Sequence, residues 1–118
     1  MLEIFRSETF DVWLRELRDI RARARIEARI LRLSQGNPGD VKPVGSGVSE
    51  MRIDYGPGYR VYFARRGPLV VLLLCGGDKR TQDADTKRAL EIAEDWESYD
   101  GAKEREVLTL RRRRLPQE

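Results

Sequence analysis

Arginine and lysine are the side chains best suited to chemistry in this sequence. The chain has 118 residues, no histidine and a single cysteine, Cys75. This composition excludes histidine-based triads, histidine-ligated metals and a Cys–His nucleophile. We therefore predict no metal site and no cofactor. Guanidinium and ammonium groups bind phosphate oxygens, and a guanidinium does so in a planar, bidentate geometry, so the chemistry we expect is phosphate recognition.

One group of candidates lies where hydrophobic residues alternate with polar ones. Arg52 and Arg60 both fall on the polar side of this alternation, and Tyr62 shares that side with Arg60. Arg60 could stabilise negative charge on a phosphate, or it could simply be an exposed strand arginine paired with Glu50 or Asp54. Asp54 could in turn act as a base or only hold Arg60.

A second group follows a continuously apolar run, Leu69–Cys75. Lys79 and Arg80 come directly after it, beyond the pair Gly76–Gly77, at which we expect a bend that lets the backbone approach a ligand closely. Both cations could clamp a phosphate, and Lys79 could act as a general acid. The alternative is that they are ordinary surface residues at a helix start.

The elements that must position these residues follow from hydrophobic periodicity. Ser7 or Thr9 is expected to cap the first helix and Asp19 the second. The order is β-α-α-β-β-β-α. The predicted ranges are strand 2–6, helix to 18, helix 20–34, flexible loop 36–47, strands 50–55, 59–65 and 69–75, and helix 82–96.

This order predicts an α+β fold in which an antiparallel sheet packs on a helical hairpin, followed by a C-terminal helix. We expect the opposite face of the sheet to be partly open, with Arg52, Arg60 and Tyr62 on it. Phosphate recognition by these residues requires that face to be accessible.

Length and charge predict one small domain, residues 1–97, with a charged C-terminal extension at 98–118. The net charge is +3, which by itself does not indicate nucleic-acid binding. The longest apolar run has seven residues, far short of the ~20 that span a bilayer, and no secretory signal is visible. We expect a cytoplasmic protein without a membrane segment.

Two motifs resemble a known family. Tyr55-Gly-Pro-Gly-Tyr-Arg-Val-Tyr-Phe63 and Cys75-Gly-Gly-Asp-Lys-Arg-Thr-Gln-Asp-Ala-Asp85 are similar to the phage-derived, HigB-like branch of the RelE/ParE toxin superfamily. The segment at 76–82 is specific to that branch. The resemblance covers residues 1–97 and the order of elements.

The resemblance implies the toxin of a type II toxin–antitoxin module. Such a toxin is an addiction-module killer protein that cleaves mRNA in the ribosome without a metal and so inhibits translation. Its expected partners are a cognate antitoxin, commonly a helix-turn-helix protein, together with mRNA and the ribosome. Two alternatives stay open: a ParE-like inhibitor of DNA gyrase, and an inactive homologue that only binds its antitoxin.

RNA cleavage of this kind proceeds by attack of the ribose 2′-hydroxyl on the adjacent phosphate, and the resemblance places an arginine at the strand position of Arg60. RelE-type enzymes also use a tyrosine in the last helix, which has no counterpart near Asp85 and Thr86, and Asp54 replaces a basic residue of RelE. The mechanism of RelE therefore cannot be transferred whole. The predicted catalytic residues are Arg60, Lys79, Arg80 and Arg52, and the predicted substrate-binding residues are Tyr62, Asp54 and Arg65.

Overall fold

Nine elements follow one another within residues 1–102. A computed structural model of the chain describes the backbone of residues 1–102 and the side chains of residues 1–96. The strands and helices are β1 (Glu3–Arg6), α1 (Glu8–Glu16), α2 (Ile20–Ser34), β2 (Val41–Gly45), β3 (Val48–Ile53), β4 (Tyr59–Arg66), β5 (Val70–Asp78), a 3-10 turn (Lys79–Thr81) and α3 (Gln82–Ala102).

The first two helices begin where the sequence predicts. The Ser7 hydroxyl oxygen accepts a hydrogen bond from the Phe10 amide at 2.9 Å, and an Asp19 carboxylate oxygen accepts one from the Ala22 amide at 3.1 Å. Each bond satisfies an amide that has no partner within its own helix. The apolar stripe of α2 is buried, as its 3.6-residue spacing requires; its members are Ala22, Ile26, Ile30 and Leu33.

The strands form one mixed sheet in the order β1-β5-β4-β3-β2. β1 pairs with β5 in parallel, and the other pairs are antiparallel. The α+β class is thus confirmed, but the prediction of a wholly antiparallel sheet is wrong, because β1 lies parallel to β5, and the sheet has one strand more than the sequence predicts. The β3–β4 register places Arg52 directly opposite Arg60 and Glu50 opposite Tyr62.

The additional strand is β2, which lies within the stretch predicted as a flexible loop. Pro43 and its glycine neighbours hide the strand signal, yet proline is tolerated on an edge strand because its missing N–H faces solvent. Ser46 and Gly47 connect β2 to β3 with φ of +52° and +77°. Positive φ at both central residues is the geometry that suits a two-residue hairpin.

Both faces of the sheet are covered, so the prediction of an open face is wrong. The helical hairpin buries one face, and α3 packs on the other, against Phe5, Tyr62 and Leu74. Ala89 and Ala93 are the α3 residues buried there. Small side chains let the helix lie close to the sheet, and a fully buried Leu or Phe beneath it contributes roughly 1.5–3 kcal/mol.

The end of β5 also differs from the prediction. Gly76 and Gly77 are not a bend; the strand continues through them to Asp78. A side chain at position 76 would collide with the Trp13 ring, and one at position 77 with the Asp85 carboxylate. Glycine is therefore needed here for close packing on both faces of the strand.

The last helix is longer than predicted, since α3 runs to Ala102 rather than ending at Trp96. Residues 103–118, most of the predicted extension, lie outside the described residues. No helix in the described part of the chain combines the length and the apolar character needed to cross a membrane.

Candidate functional site

Four cations lie at one end of the sheet, where β3 ends, β4 begins and β5 ends. We call Arg52, Arg60, Lys79 and Arg80 the cation cluster. Arg52 and Arg60 are opposite each other on neighbouring strands, and Arg60 is also opposite Gly77 of β5. Lys79 and Arg80 form the turn that follows β5. The register of three strands, rather than proximity in sequence, therefore brings the cluster together.

Arg60 is the buried member of the cluster, with 9% of its surface exposed. Its Nη1 donates hydrogen bonds to the carbonyl oxygens of Gly58 and Tyr59, at 3.2 and 3.4 Å. Its Nε lies 3.5 Å from Oε2 of Glu50 and makes an ion pair with it. These two carbonyl oxygens and the carboxylate hold the guanidinium in one orientation, and a rotation would break these contacts.

Glu50 is fully buried and joins Arg60 to Tyr62. The Tyr62 hydroxyl donates a hydrogen bond to Oε2 of Glu50 at 3.1 Å, and Thr86 of α3 lies beside the Tyr62 hydroxyl. Burial, followed by the nearby Glu50 charge, raises the pKa of the Tyr62 phenol far above its ordinary value. Tyr62 is therefore a neutral donor at physiological pH, and α3 closes this network from above.

Lys79 meets Arg60 across Gly58. A Cβ atom placed on Gly58 would lie 3.5 Å from Arg60 Nη1 and 3.6 Å from both Cβ and Cδ of Lys79. Gly58 has φ of +84°, a backbone conformation that favours glycine. The buried guanidinium and the aliphatic part of the Lys79 side chain thus both border the position that a side chain at residue 58 would occupy.

Arg80 is exposed and is held by Asp78. Its Nη2 lies 2.9 Å from Asp78 Oδ2, and its backbone amide donates to Asp78 Oδ1 at 2.8 Å. The Arg80 side chain is the main cause that lowers the pKa of the Asp78 carboxyl below its ordinary value. Asp78 and Thr81 form a capping box around the turn, so Asp78 fixes the turn that carries Lys79.

Arg52 is half-exposed and is paired with Asp40, at 2.9 Å between Nη2 and Oδ1. Arg52 and Arg60 are like charges in directly opposite positions, an arrangement that is destabilising without compensation. Each has its own carboxylate, Asp40 or Glu50, and these opposite charges offset the repulsion. Arg29 of α2 supports this corner of the sheet by donating to the Arg52 carbonyl oxygen at 2.8 Å.

The three predicted substrate-binding residues do not join the cluster. Tyr62 is fully buried, so its ring has no exposed surface on which a base could stack. Asp54 follows the end of β3 and lies beside Arg25, Arg29 and Arg32 of α2. Arg65 lies five residues from Arg60, or roughly 16 Å along β4 at ~3.3 Å per residue, and it donates to the Pro68 carbonyl oxygen at 3.2 Å.

Sequence reasoning undervalued the carboxylates that hold the cluster. The sequence predicts Glu50 only as a surface partner of an exposed arginine, whereas the structure buries both residues. The sequence does contain a sign of this pairing. Glu50 and Arg52 lie on the same side of the strand, opposite the apolar side formed by Met51 and Ile53. Asp40 gave no such signal, since it lies in a stretch without periodicity and reaches Arg52 only through the β2–β3 pairing.

The arrangement suits an electrostatic task. The side chains of the cation cluster differ in exposure. Arg60 is mostly buried, Arg52 is half-exposed, and Lys79 and Arg80 are exposed, with 79% of the Arg80 side chain accessible. Outer cations can attract a phosphate, and the preoriented inner guanidinium can stabilise charge that develops on it. Within the described residues, no three His, Cys, Asp or Glu side chains converge in a way that could hold a metal ion.

Known proteins are similar to this chain over most of its length. Residues 12–96 match the family described as "Phage derived protein Gp49-like (DUF891)". A protein of Haemophilus influenzae strain Rd, named "Uncharacterized protein", is 51% identical over 94 residues, which cover 80% of this chain and 95% of that protein. No solved structure matches the chain significantly.

Proposed function

The chain belongs to the Gp49-like family of phage-derived proteins, a family associated with RelE-like toxins, and we propose that it is the toxin of a type II toxin–antitoxin module that cleaves mRNA during translation. The observation that carries this proposal is the meeting of Arg60 and Lys79 across Gly58. It places a fixed, mostly buried cation beside the side chain of an exposed one at the end of the sheet, and such a grouping of positive charge suits a phosphodiester.

In the proposed reaction, the 2′-hydroxyl oxygen of a ribose attacks the adjacent phosphorus. The phosphorus–O5′ bond then breaks, and the products carry a 2′,3′-cyclic phosphate and a 5′-hydroxyl group. The hydroxyl proton passes to solvent, and solvent protonates the leaving oxygen, because Glu50 and Asp78 are both engaged in ion pairs. The protein contributes charge stabilisation rather than proton transfer.

Arg60 has the central role in this reaction. Its guanidinium is mostly shielded from water, and a cation in such a site interacts more strongly with a developing phosphorane charge than one in bulk solvent. Lys79 shares the same oxygens, and Arg80 and Arg52 hold the flanking phosphates. The expected partners are mRNA on the ribosome and a cognate antitoxin, and no cofactor is required.

The proposal is tested with purified protein in a reconstituted translation system and a reporter mRNA. Mapping of 5′ ends should show new cuts during translation, and the upstream fragments should end in a 2′,3′-cyclic phosphate. Arg60→Ala should abolish the cuts, while Arg60→Lys, which keeps the charge near Glu50, serves as the variant that retains the fold. Intact mRNA together with gyrase trapped on supercoiled plasmid would instead identify a gyrase inhibitor.

One observation favours a second candidate function, the binding of an antitoxin without RNA cleavage. The Arg60 guanidinium already has protein partners in Gly58, Tyr59 and Glu50, so it could be a purely structural ion-pair member. Expression of the chain without a partner protein separates the two cases. Unimpaired growth, with mRNA as intact as in cells carrying Arg60→Lys or Arg60→Ala, supports the binding-only function.

A further inference from the structure

A cleft lies beside β5, in the plane of the sheet. β1 pairs with Val70–Leu73 only and ends at Arg6. Ser7 then makes the last contacts along this edge, from its amide to the Leu73 carbonyl oxygen and from its hydroxyl to the Leu74 carbonyl oxygen. Beyond that point, within residues 1–102, the part of β5 from Cys75 to Asp78 pairs with β4 on one side and with no strand on the other.

Two helices form the walls of this cleft. Trp13 of α1 packs on Gly76 from one face of the sheet, and Asp85 of α3 packs on Gly77 from the other. The space between the helices has a volume of about 770 Å³. It therefore occupies the position that a further strand beside β5 would take, with the strand edge as its floor.

The lining is acidic, although the whole chain carries a net charge of +3. Six carboxylate side chains line the cleft and its continuation along α1, against two cations. The carboxylates are Glu8, Glu16, Asp78, Asp83, Asp85 and Glu91, and the cations are Lys87 and Arg88. Asp78 and Asp85 already have partners in Arg80 and Thr81, whereas Glu8, Glu16, Asp83 and Glu91 are exposed.

We propose that this cleft binds an extended, basic peptide segment of a partner protein, which adds to the sheet as a strand beside Cys75–Asp78. A strand edge recognises a peptide through its backbone and so selects for an extended conformation. The acidic walls select for Lys and Arg among the side chains, by attraction of opposite charges. The proposal is independent of RNA cleavage, because none of the residues that carry it belongs to the cation cluster.

The probe is a synthetic peptide, Lys-Val-Arg-Val-Arg-Val-Lys, titrated against the full chain by calorimetry. Two matched probes have the same length: one with Glu in place of every Lys and Arg, and one with methylated amides at alternate residues, which cannot donate to a strand edge. We expect binding of the basic peptide only, at least tenfold tighter than that of either matched probe, and weaker binding as salt shortens the Debye length.

Protein variants locate the binding site. Glu16→Gln combined with Glu91→Gln removes two exposed charges from opposite walls of the cleft, and we expect about tenfold weaker binding. Glu94→Gln with Asp95→Asn removes two exposed charges of α3 that do not line the cleft, and we expect no change. Equal affinities for both variant pairs, or equal affinities for the basic and methylated peptides, would overturn the proposal.

Two other occupants have distinct outcomes. The C-terminal sequence contains Arg111–Arg114, outside the described residues. If the wild-type chain fails to bind the peptide but a full-length variant with Ser at these four positions binds it, the occupant is this chain's own tail and the partner proposal is wrong. A molecular mass that doubles with concentration, in parallel with loss of peptide binding, would identify a second copy of the chain and would equally contradict the proposal.

Discussion

Removal of the Glu50 side chain is the most informative perturbation of the fold beneath the cation cluster. In Glu50→Ala, the mostly buried Arg60 guanidinium loses its ion-pair partner and the buried Tyr62 hydroxyl loses its acceptor. Breaking a buried ion pair by deleting one member typically costs ~3–5 kcal/mol. Arg60 retains two carbonyl acceptors, and the pair is 3.5 Å long, so we expect the lower end, about 3 kcal/mol.

The same geometry predicts how two substitutions combine. Tyr62→Phe removes only the hydroxyl group, and we expect a loss of ~1–2 kcal/mol. In the double variant, the hydrogen bond between Tyr62 and Glu50 can be lost only once. The two losses should therefore fall short of additivity by about 1 kcal/mol, as expected for residues in direct contact.

The assay is equilibrium unfolding in urea, followed by the fluorescence of Trp13 and Trp96. Glu94→Ala is the matched control, because Glu94 is an exposed carboxylate on α3 and should change stability by less than ~0.5 kcal/mol. Glu50→Gln keeps an acceptor for Tyr62 and should be intermediate. A loss below ~1 kcal/mol for Glu50→Ala, or full additivity with Tyr62→Phe, would refute the view that Glu50 holds Arg60 and Tyr62 together.

Three further outcomes follow from the structure. Burial, with a smaller contribution from the charge of Asp85, raises the pKa of the Cys75 thiol to about 12. Iodoacetamide at pH 8 should therefore label Cys75 in urea but not in the native protein. Rapid labelling of the native protein would contradict the burial of this thiol. Because Arg80 lowers the folded pKa of Asp78, their pair should stabilise the protein at neutral pH, and this contribution should be lost as pH falls through that folded pKa. Urea titrations of Arg80→Gln and wild type should therefore differ more at pH 7 than at pH 2.5, and an equal difference at both would count against it. Gly77→Ala should lower the free energy of unfolding by ~1–3 kcal/mol, because the added methyl group collides with Asp85. Addition of Asp85→Ala to this variant should restore part of that loss. A Gly77→Ala variant as stable as wild type would show that the contact is loose.

Local chemistry made the helical hairpin predictable. Ser7 and Asp19 are capping residues, and they are followed at once by apolar residues at helical spacing, so both helix starts could be placed from the sequence. The alternation in β3 and β4 likewise fixed the shared side of Arg52 and Arg60, which the register confirms. In each case the signal depends only on neighbours a few residues away.

The burial of the site could not be predicted in this way. The periodicity of α3 shows that one side is buried but not which face of the sheet receives it, since that depends on the path of the chain after β5. Once α3 lies over Tyr62, the strand side that looked accessible becomes interior, and Arg60 with Glu50 becomes a buried pair. β2 was missed for a related reason, because its pairing with β3 overrides its weak local preference.

In the proposed reaction, the Arg60 guanidinium stabilises negative charge on a phosphodiester of translated mRNA. The most direct measurement is the rate of reporter mRNA cleavage on stalled ribosomes under single-turnover conditions, for wild type, Arg60→Lys and Arg65→Ala. Arg65 is an exposed arginine of the same strand, at its other end. We expect the rate for Arg60→Lys to be lower than that of wild type by a factor of ~100 or more, and the rate for Arg65→Ala to equal that of wild type. Equal rates for wild type and Arg60→Lys, in proteins of equal stability, would contradict it.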